Sequence, residues 1–346
     1  MKKKSIKYIG GDFCELDHAN FLLGSHINSQ SDFYFPKQIK NKKRNYFETG
    51  SDAFAAILAS LKKNSIHLWI PENFCMESLN RVSYKLKPLS LIVKKYSNLD
   101  VLKNSIGESD VILFVHFNGY QNLQIQQLNL IAKKKGAIVI EDFVQAPLDI
   151  NKFQGDFAFN SFRKFLFLEL SVAYLDNVGI SKREMKTTYF NLKKEAGYFK
   201  ELYYKNRDEV AEAKYLSLYK EAEESLNKID EIIIAQDCEM KILNSLNLDA
   251  IKQKRIENFN YLKEKIDKVS QLTLIEGEYM YGMVKAKCRN ELRNYCFNSG
   301  VFPAIHWLDA HSKESEILLS FHIDQRYDFE DMDRLNAVIK KFYLGN

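Results

Sequence analysis

Apolar residues fall in short unbroken runs along the first half of the chain and at helical spacing along much of the second. Ile66 to Ile70, Val111 to Val115 and Ala137 to Ile140 are dense in aliphatic and β-branched residues. Runs of that length suit strands buried on both faces of a parallel sheet. Leu123 to Lys135 has a helical pattern and lies between two of them. Strand, helix and strand at this spacing predict a right-handed parallel βαβ unit. Tyr46 to Lys63 reads YFETGSDAFAAILASLKK. There Thr49-Gly50-Ser51 precedes an alanine-rich amphipathic helix whose apolar face is Phe54, Ile57, Leu58 and Leu61. Lys182 to Lys228 is rich in Lys, Glu, Tyr and Leu, with one glycine, Gly197, and no proline. That composition predicts long amphipathic helices. Short strands are expected near Leu272 to Ile275 and Tyr281 to Lys287, then a helix over Arg289 to Ser299. Residues 1–44 read as an irregular arm. In it Ile9-Gly10-Gly11-Asp12-Phe13 forms a turn into a short strand, and Phe33, Tyr34 and Phe35 anchor the arm to the body.

Composition narrows the class. A chain of 346 residues, 46% hydrophobic and 27% charged, buries a large core and reads as one large domain plus a smaller one. The net charge of +5 is small for this length. The basic runs Lys2 to Lys4, Lys40 to Arg44 and Lys133 to Lys135 read as solvated faces, not as the single stripe of a nucleic-acid binder. Five cysteines without a CxxC pair argue against a disulfide framework or a zinc site and fit a reducing cytoplasm. No apolar run approaches membrane-spanning length, and no signal core follows the charged N-terminus. Neither a nucleic-acid nor a membrane partner is expected, and no metal.

The candidate chemistry lies between Gly136 and Leu175. The run Ala137 to Ile140 ends in Glu141 and Asp142. Ligands of open α/β sheets sit beyond the carboxyl ends of strands, so Asp142 stands where a ligand is met. About twenty residues on, Lys164 lies among Phe157, Phe159, Phe162, Phe165, Leu166 and Phe167. Apolar surroundings disfavour an ammonium, which lowers its pKa and makes the amine a nucleophile. A carboxylate for a cationic ring nitrogen and a lysine for a carbonyl carbon are the minimum equipment for pyridoxal 5'-phosphate (PLP). Taken singly, Asp142 also reads as a cap, and Lys164 as a side chain laid along apolar surface to reach water.

The pattern Glu141-Asp142-x-x-Gln145-Ala146, then Gly155-Asp156, then Ser161-Phe162-Arg163-Lys164, resembles the DegT/DnrJ/EryC1/StrS aminotransferases. The Ser-x-Arg-Lys spacing is similar to a divergent branch. The likeness spans nearly the whole chain. It includes Gly300 to Trp307, the closing strand at Leu318 to Tyr327 and the helix Glu330 to Phe342. It also covers Ile229 to Ile266, similar to a long linker helix. The resemblance implies a fold-type-I PLP-transferase fold. After the arm, a mostly parallel-sheet domain with a helical extension would cover 45–228, and a linker helix with a small α+β domain 229–346.

The resemblance also implies an activity: transfer of an amino group from an amino acid such as glutamate to a keto-sugar, often nucleotide-linked, by a cytoplasmic homodimer whose site is completed at the interface. Lys164 would bond the cofactor and shuttle the proton, and Asp142 would hold its ring nitrogen. Gln145 would lie near the ring hydroxyl. Ser161, with the Gly50 and Ser51 amides, would hold the phosphate, although Thr49 to Ser51 also reads as an ordinary helix cap. Cys75, or neighbouring Phe74, would cover the ring. His116 at a strand end and His306 would reach substrate, His116 being open to a purely hydrogen-bonded structural role. Two family features are missing. A Gly-rich pair after the lysine is replaced by Leu168-Glu169-Leu170-Ser171-Val172, and Ile180 to Met185 lacks an Asn-Arg motif. The alternatives are a PLP-dependent dehydratase on the same fold, or a homologue that binds without catalysis and serves a regulatory role.

Overall fold

The computed structural model describes residues 7–22, 30–176, 183–267, 269–306 and 315–344, in two compact units. The larger unit comprises Phe13–Leu16 and Leu22–Leu246. Its sheet has eight strands: β1 (Gln38–Ile39), β2 (Lys42–Phe47), β3 (Ser65–Pro71), β4 (Ser90–Tyr96), β5 (Val111–Val115), β6 (Ile138–Asp142), β7 (Phe157–Phe159) and β8 (Ser171–Leu175). Their spatial order is β1-β2-β8-β7-β6-β5-β3-β4. Strands β4, β3, β5, β6 and β7 are mutually parallel. β8 runs antiparallel to β7, and β2 antiparallel to β8. Hence β2, β3, β5, β6 and β7 all end at one edge, the edge where open α/β sheets take ligands.

The apolar runs become the central strands, as expected. Every residue of β5 is buried, as is all of β6 except Ile138. Helix α1 (Gly50–Ser60) starts where Thr49 caps it, its hydroxyl accepting from Asp52 N at 3.2 Å. Phe54, Ile57 and Leu58 of α1 join the core against Leu68, Ile70, Leu113 and Ile140. α2 (Met76–Lys85), α3 (Leu99–Ser105) and α4 (Asn122–Lys135) follow.

Several elements depart from the sequence expectation. Lys43 is exposed as expected, but Lys42 and Arg44 are partly buried, and all three lie in β2, whose backbone pairs with β8. Their charges are met locally, Lys42 by Asp176 at 2.8 Å and Arg44 by Asp32 at 2.7 Å. Of the three aromatics in the arm, Tyr34 and Phe35 are buried and Phe33 is exposed. Ile229 to Ile266 is not one helix. Ile233 and Ile234 bridge to Arg183 and Phe47, and two helices follow, α7 (Asp237–Ser245) and α8 (Leu248–Ile266). The break is enforced by Asn247, whose side chain caps α8 by accepting from Ala250 N at 3.0 Å.

The predicted long helices are present as an antiparallel pair, α5 (Thr188–Asn206) and α6 (Glu209–Leu226). The smaller unit comprises Met1–Asp12, Asp17–Phe21 and Asn247–Asn346. It has a three-stranded antiparallel sheet, β9 (Leu272–Leu274), β10 (Gly282–Ala286) and β11 (Leu318–Phe321). Against it pack α8, α9 (Arg289–Asn298) and α10 (Phe329–Leu344) through Phe259, Leu262, Leu292, Leu335 and Ile339. Ile9–Gly10 is indeed a short strand, paired in parallel with Val301–Phe302. Among the described residues no helix is long and apolar enough to cross a membrane.

The lone glycine of α5 has a packing reason. A β-carbon at Gly197 would collide with the ring of buried Phe167, in the segment that follows Lys164. Glycine inside a helix costs roughly 1 kcal/mol against alanine, so its presence here reflects contact rather than propensity. Gly197→Ala is expected to destabilise the protein by about 1–3 kcal/mol through overpacking. Thermal or urea denaturation checks this; a variant more stable than the parent would show that the helix pair has room there.

Candidate active site

The turn that carries Lys164 is held from both sides. Asn160 is fully buried. Its side chain accepts from Val172 N at 2.7 Å and donates to Pro147 O at 2.9 Å. Phe162 N donates to Leu170 O at 2.9 Å, and Phe165 N and Leu166 N both return to Phe162 O. Phe162, Phe165 and Leu166 have no exposed surface, and Phe35 meets Phe162 edge-on at 5.4 Å. The aromatic residues that surround Lys164 in sequence therefore face the core, while Lys164 itself faces outward and is solvent-accessible. Its amine is nonetheless closely surrounded by protein. Desolvation lowers its pKa most, and the Arg163 guanidinium lowers it further, against the opposing pull of Cys75, Asp142 and Glu223.

Asp142 ends β6 and is buried. Its Oδ1 accepts from Val144 N at 2.7 Å. Burial pushes its carboxyl up to about 7, with the Val144 amide and the Lys164 amine opposing the rise. Asp142 and Lys164 thus act on each other, as do Lys164 and Cys75. Cys75 is exposed and stands at the cap position of α2. Phe74 is buried against Phe54, with ring centroids 6.4 Å apart, which leaves Cys75 as the member of that pair open to solvent.

Gly50 and Ser51 are the first two residues of α1. Their amides point out of the helix end, where helical N–H groups lack intrahelical acceptors and favour an anion. A β-carbon on Gly50 would lie 3.3 Å from Ser161 Cβ, so the helix start and Ser161 are in contact. The Ser51 hydroxyl is 3.2 Å from that of Ser78 in α2. Gln145 is buried, with Oε1 accepting from Asn118 N at 3.0 Å. Gly50, Ser51, Cys75, Asp142, Gln145, Ser161 and Lys164 are therefore all carried by segments leaving the same sheet edge.

His116 is placed differently. It is fully buried, its Nδ1 accepts from Gln121 N at 3.1 Å, and its Nε2 lies 2.8 Å from Glu141 Oε2. An accepting Nδ1 assigns the proton to Nε2. Both nitrogens are taken by protein, which matches the structural reading of this histidine. Glu141, left without a role by the sequence, is its partner. The other Glu141 oxygen accepts from Gln154 N at 2.6 Å and from Gly155 N. His306 is part of the smaller unit, with Nε2 3.0 Å from the Ser320 hydroxyl and its ring 4.9 Å from that of Tyr281.

Leu168-Glu169-Leu170, where the resemblance leads one to expect a Gly-rich pair, is buried and leads into β8. Glu169 accepts from the Tyr189 hydroxyl, and its amide donates to Glu239 Oε2 at 2.8 Å. Ile180, Ser181 and Lys182 lie outside the described residues, so the missing Asn-Arg motif has only Arg183 to Met185 on view. Sequence reasoning also missed the neighbours of Arg163. Its Nη1 donates to Glu223 Oε1 at 2.8 Å and to the Tyr189 hydroxyl at 3.3 Å, both from the α5–α6 pair.

The donor set suits PLP: an amine with a lowered pKa, a buried acid able to meet a cationic ring nitrogen, and a helix start beside a serine hydroxyl. No protein-family profile matches the sequence, and no curated protein matches it. Solved structures do match. The PLP form of putative sugar aminotransferase Spr1654 from Streptococcus pneumoniae superposes with a TM-score of 0.64 at 12% identity, over 97% of this chain and 98% of that one. A DegT DnrJ EryC1 StrS aminotransferase from Brucella abortus gives 0.59 at 12%, over 94% and 92%. A NifS-like protein from Rickettsia africae gives 0.55 at 11%, over 91% and 86%. The chain has the fold these proteins share, a large mostly parallel sheet flanked by helices and followed by a smaller α+β part.

The raised carboxyl of Asp142 sets a pH dependence for the protein without cofactor. Folding favours the neutral acid, so the contribution of Asp142 to stability is fully present below its ordinary pKa near 4 and is lost as pH rises through about 7. A rise of about three units caps the penalty near 4 kcal/mol. Asp142→Asn should therefore raise the melting temperature at pH 8 and leave it nearly unchanged at pH 4, as calorimetry at the two pH values would show. An equal effect at both would mean that the carboxyl is not the titrating group.

Proposed function

We propose that this chain is a PLP-dependent aminotransferase of the DegT/DnrJ/EryC1/StrS type. It would take an amino group from an amino acid, glutamate first among candidates, to a keto-sugar carried on a nucleotide, in amino-sugar or surface-glycan synthesis. The observation that carries the reading is that Lys164 and Asp142, on segments leaving one sheet edge, act on each other electrostatically, beside the contact of Ser161 with the α1 start. When bound, PLP supplies an electron sink for the charge left on the donor's α-carbon.

This chain's residues do the rest. Lys164 Nζ, its pKa lowered chiefly by desolvation, holds its proton less tightly than an ordinary lysine. It would bond the cofactor and would be the amine that holds and returns the proton in the exchange. Asp142 would pair with the ring nitrogen and, in doing so, regain its charge. The Gly50 and Ser51 amides and the Ser161 hydroxyl would hold the phosphate. Gln145 would lie by the ring hydroxyl and Cys75 over the ring. The likeness in sequence motifs supports a cytoplasmic homodimer and the acceptor class, and the fold shared with proteins titled sugar aminotransferases is consistent with it. The NifS-like match warns that the fold by itself does not choose the reaction.

The test is spectroscopic and chemical. Protein mixed with PLP should gain a visible absorbance band, and borohydride should lock the cofactor's mass on the peptide containing Lys164. Lys164→Ala should show neither, and glutamate should bleach the parent's band with release of 2-oxoglutarate. Cofactor binding without 2-oxoglutarate would favour an elimination on the same fold. No cofactor binding by a well-folded sample would favour a non-catalytic subunit.

A further inference from the structure

One carboxylate beside the lysine serves two guanidiniums. Glu223 of α6 accepts from Arg163 Nη1 through Oε1 at 2.8 Å and from Arg81 Nη2 through Oε2 at 3.2 Å. The two arginines differ in how they are held. Arg81 is buried and also donates to Glu77 Oε1 and Asn227 Oδ1, each at 2.6 Å. It keeps two partners if Glu223 leaves. Arg163 relies on Glu223 and the Tyr189 hydroxyl, both through Nη1. Its side chain is 23% exposed and that of Glu223 41%. Arg163 is the more enclosed member, held by Glu223, Tyr189 and Glu169, and Glu223 is the more open one, so it is Glu223 that can leave the pair. Glu223 can swing to solvent while Arg81 stays neutralised, which frees a planar fork suited to a carboxylate.

The place of that fork fits one part of a substrate. Arg163 and Lys164 are consecutive residues of a turn closed by Phe165 N to Phe162 O at 2.6 Å. An α-amino acid carries its carboxylate one bond from the carbon that must come to Lys164 Nζ. A nucleotide phosphate is many bonds from the acceptor's carbonyl and does not match so short a span.

We propose that Arg163 binds the carboxylate of the amino donor, and that Glu223 occupies Arg163 until the donor displaces it. This rests on the aminotransferase reading for the word donor, but the carboxylate site is testable without it. Glutarate, which has no amine, is titrated calorimetrically into the protein, both as purified and after saturation with PLP. Arg163→Gln should weaken glutarate binding by about tenfold or more, and Glu223→Gln should tighten it by removing the competing carboxylate. Arg163→Lys, which keeps the charge but not the fork, should fall between.

In the PLP-saturated protein, Arg163→Gln should lower kcat/KM for the glutamate half-reaction by about tenfold or more beyond any loss it causes with benzylamine, which has no carboxylate but meets the same Lys164. Glutarate binding that ignores Arg163, weaker binding in Glu223→Gln, or equal losses for glutamate and benzylamine would each overturn the proposal. Failure of the parent to bind PLP while glutarate binding still depends on Arg163 would refute the aminotransferase reading and leave the carboxylate site standing.

Discussion

A carboxyl buried at the end of a strand, with one backbone amide and one distant-in-sequence amine to answer it, organises this molecule. Taking an ion out of water is costly unless it is paired, and an unpaired acid neutralises instead. Asp142 does so here, its carboxyl pushed up to about 7. A core built only for stability would place an apolar residue at that position. The segments that leave the same strand-end edge bring the Lys164 amine and other polar groups to its side of the sheet. β6 delivers the acid, β7 and its following turn deliver Lys164, and α1 and α2 deliver an anion-seeking helix start and a thiol.

The precision of that arrangement comes from packing and from buried hydrogen bonds some way from the chemistry. Asn160 ties the turn to β8 and to Pro147, and Phe162 and Phe165 fix it in the core. Each fully buried aromatic contributes on the order of 2–3 kcal/mol, enough to keep the turn in one conformation. The helical pair α5–α6 closes the other side. Gly197 lets α5 approach Phe167, and from that position Tyr189 and Glu223 reach Arg163. The charge next to Lys164 is thus governed by an element that begins more than twenty residues after it.

The legible parts of the fold were those where burial dictates composition. β3, β5 and β6 are central parallel strands, so their residues are apolar almost throughout, and the runs announce them. β2 and β4 escaped notice for the converse reason. β2 pairs through its backbone while Lys42 and Arg44 find acidic partners, and β4 is an edge strand with most of its residues exposed. β4 offers only the three-residue run Leu91-Ile92-Val93 and β2 only Tyr46-Phe47, both close to lysines or arginine. Asp142, Ser161 and Lys164 stood out in the sequence because a PLP site would demand those residue types near strand ends. The environment of Lys164 did not, because neighbours in sequence need not be neighbours in space. The turn sends Phe162 and Phe165 inward and the lysine outward. Glu223 and Glu141 carry no local signal, since their roles exist only once β5 meets β6 and the helical pair folds back.

The account reduces to one spatial relation, Lys164 and Asp142 on either side of a single ring. A crystal structure of the protein grown with PLP measures it directly. The account predicts electron density continuous with Lys164 Nζ, with the pyridine nitrogen hydrogen-bonded to the Asp142 carboxylate. Density for the cofactor elsewhere, or a ring nitrogen facing solvent while Asp142 stays buried and unmet, would contradict it.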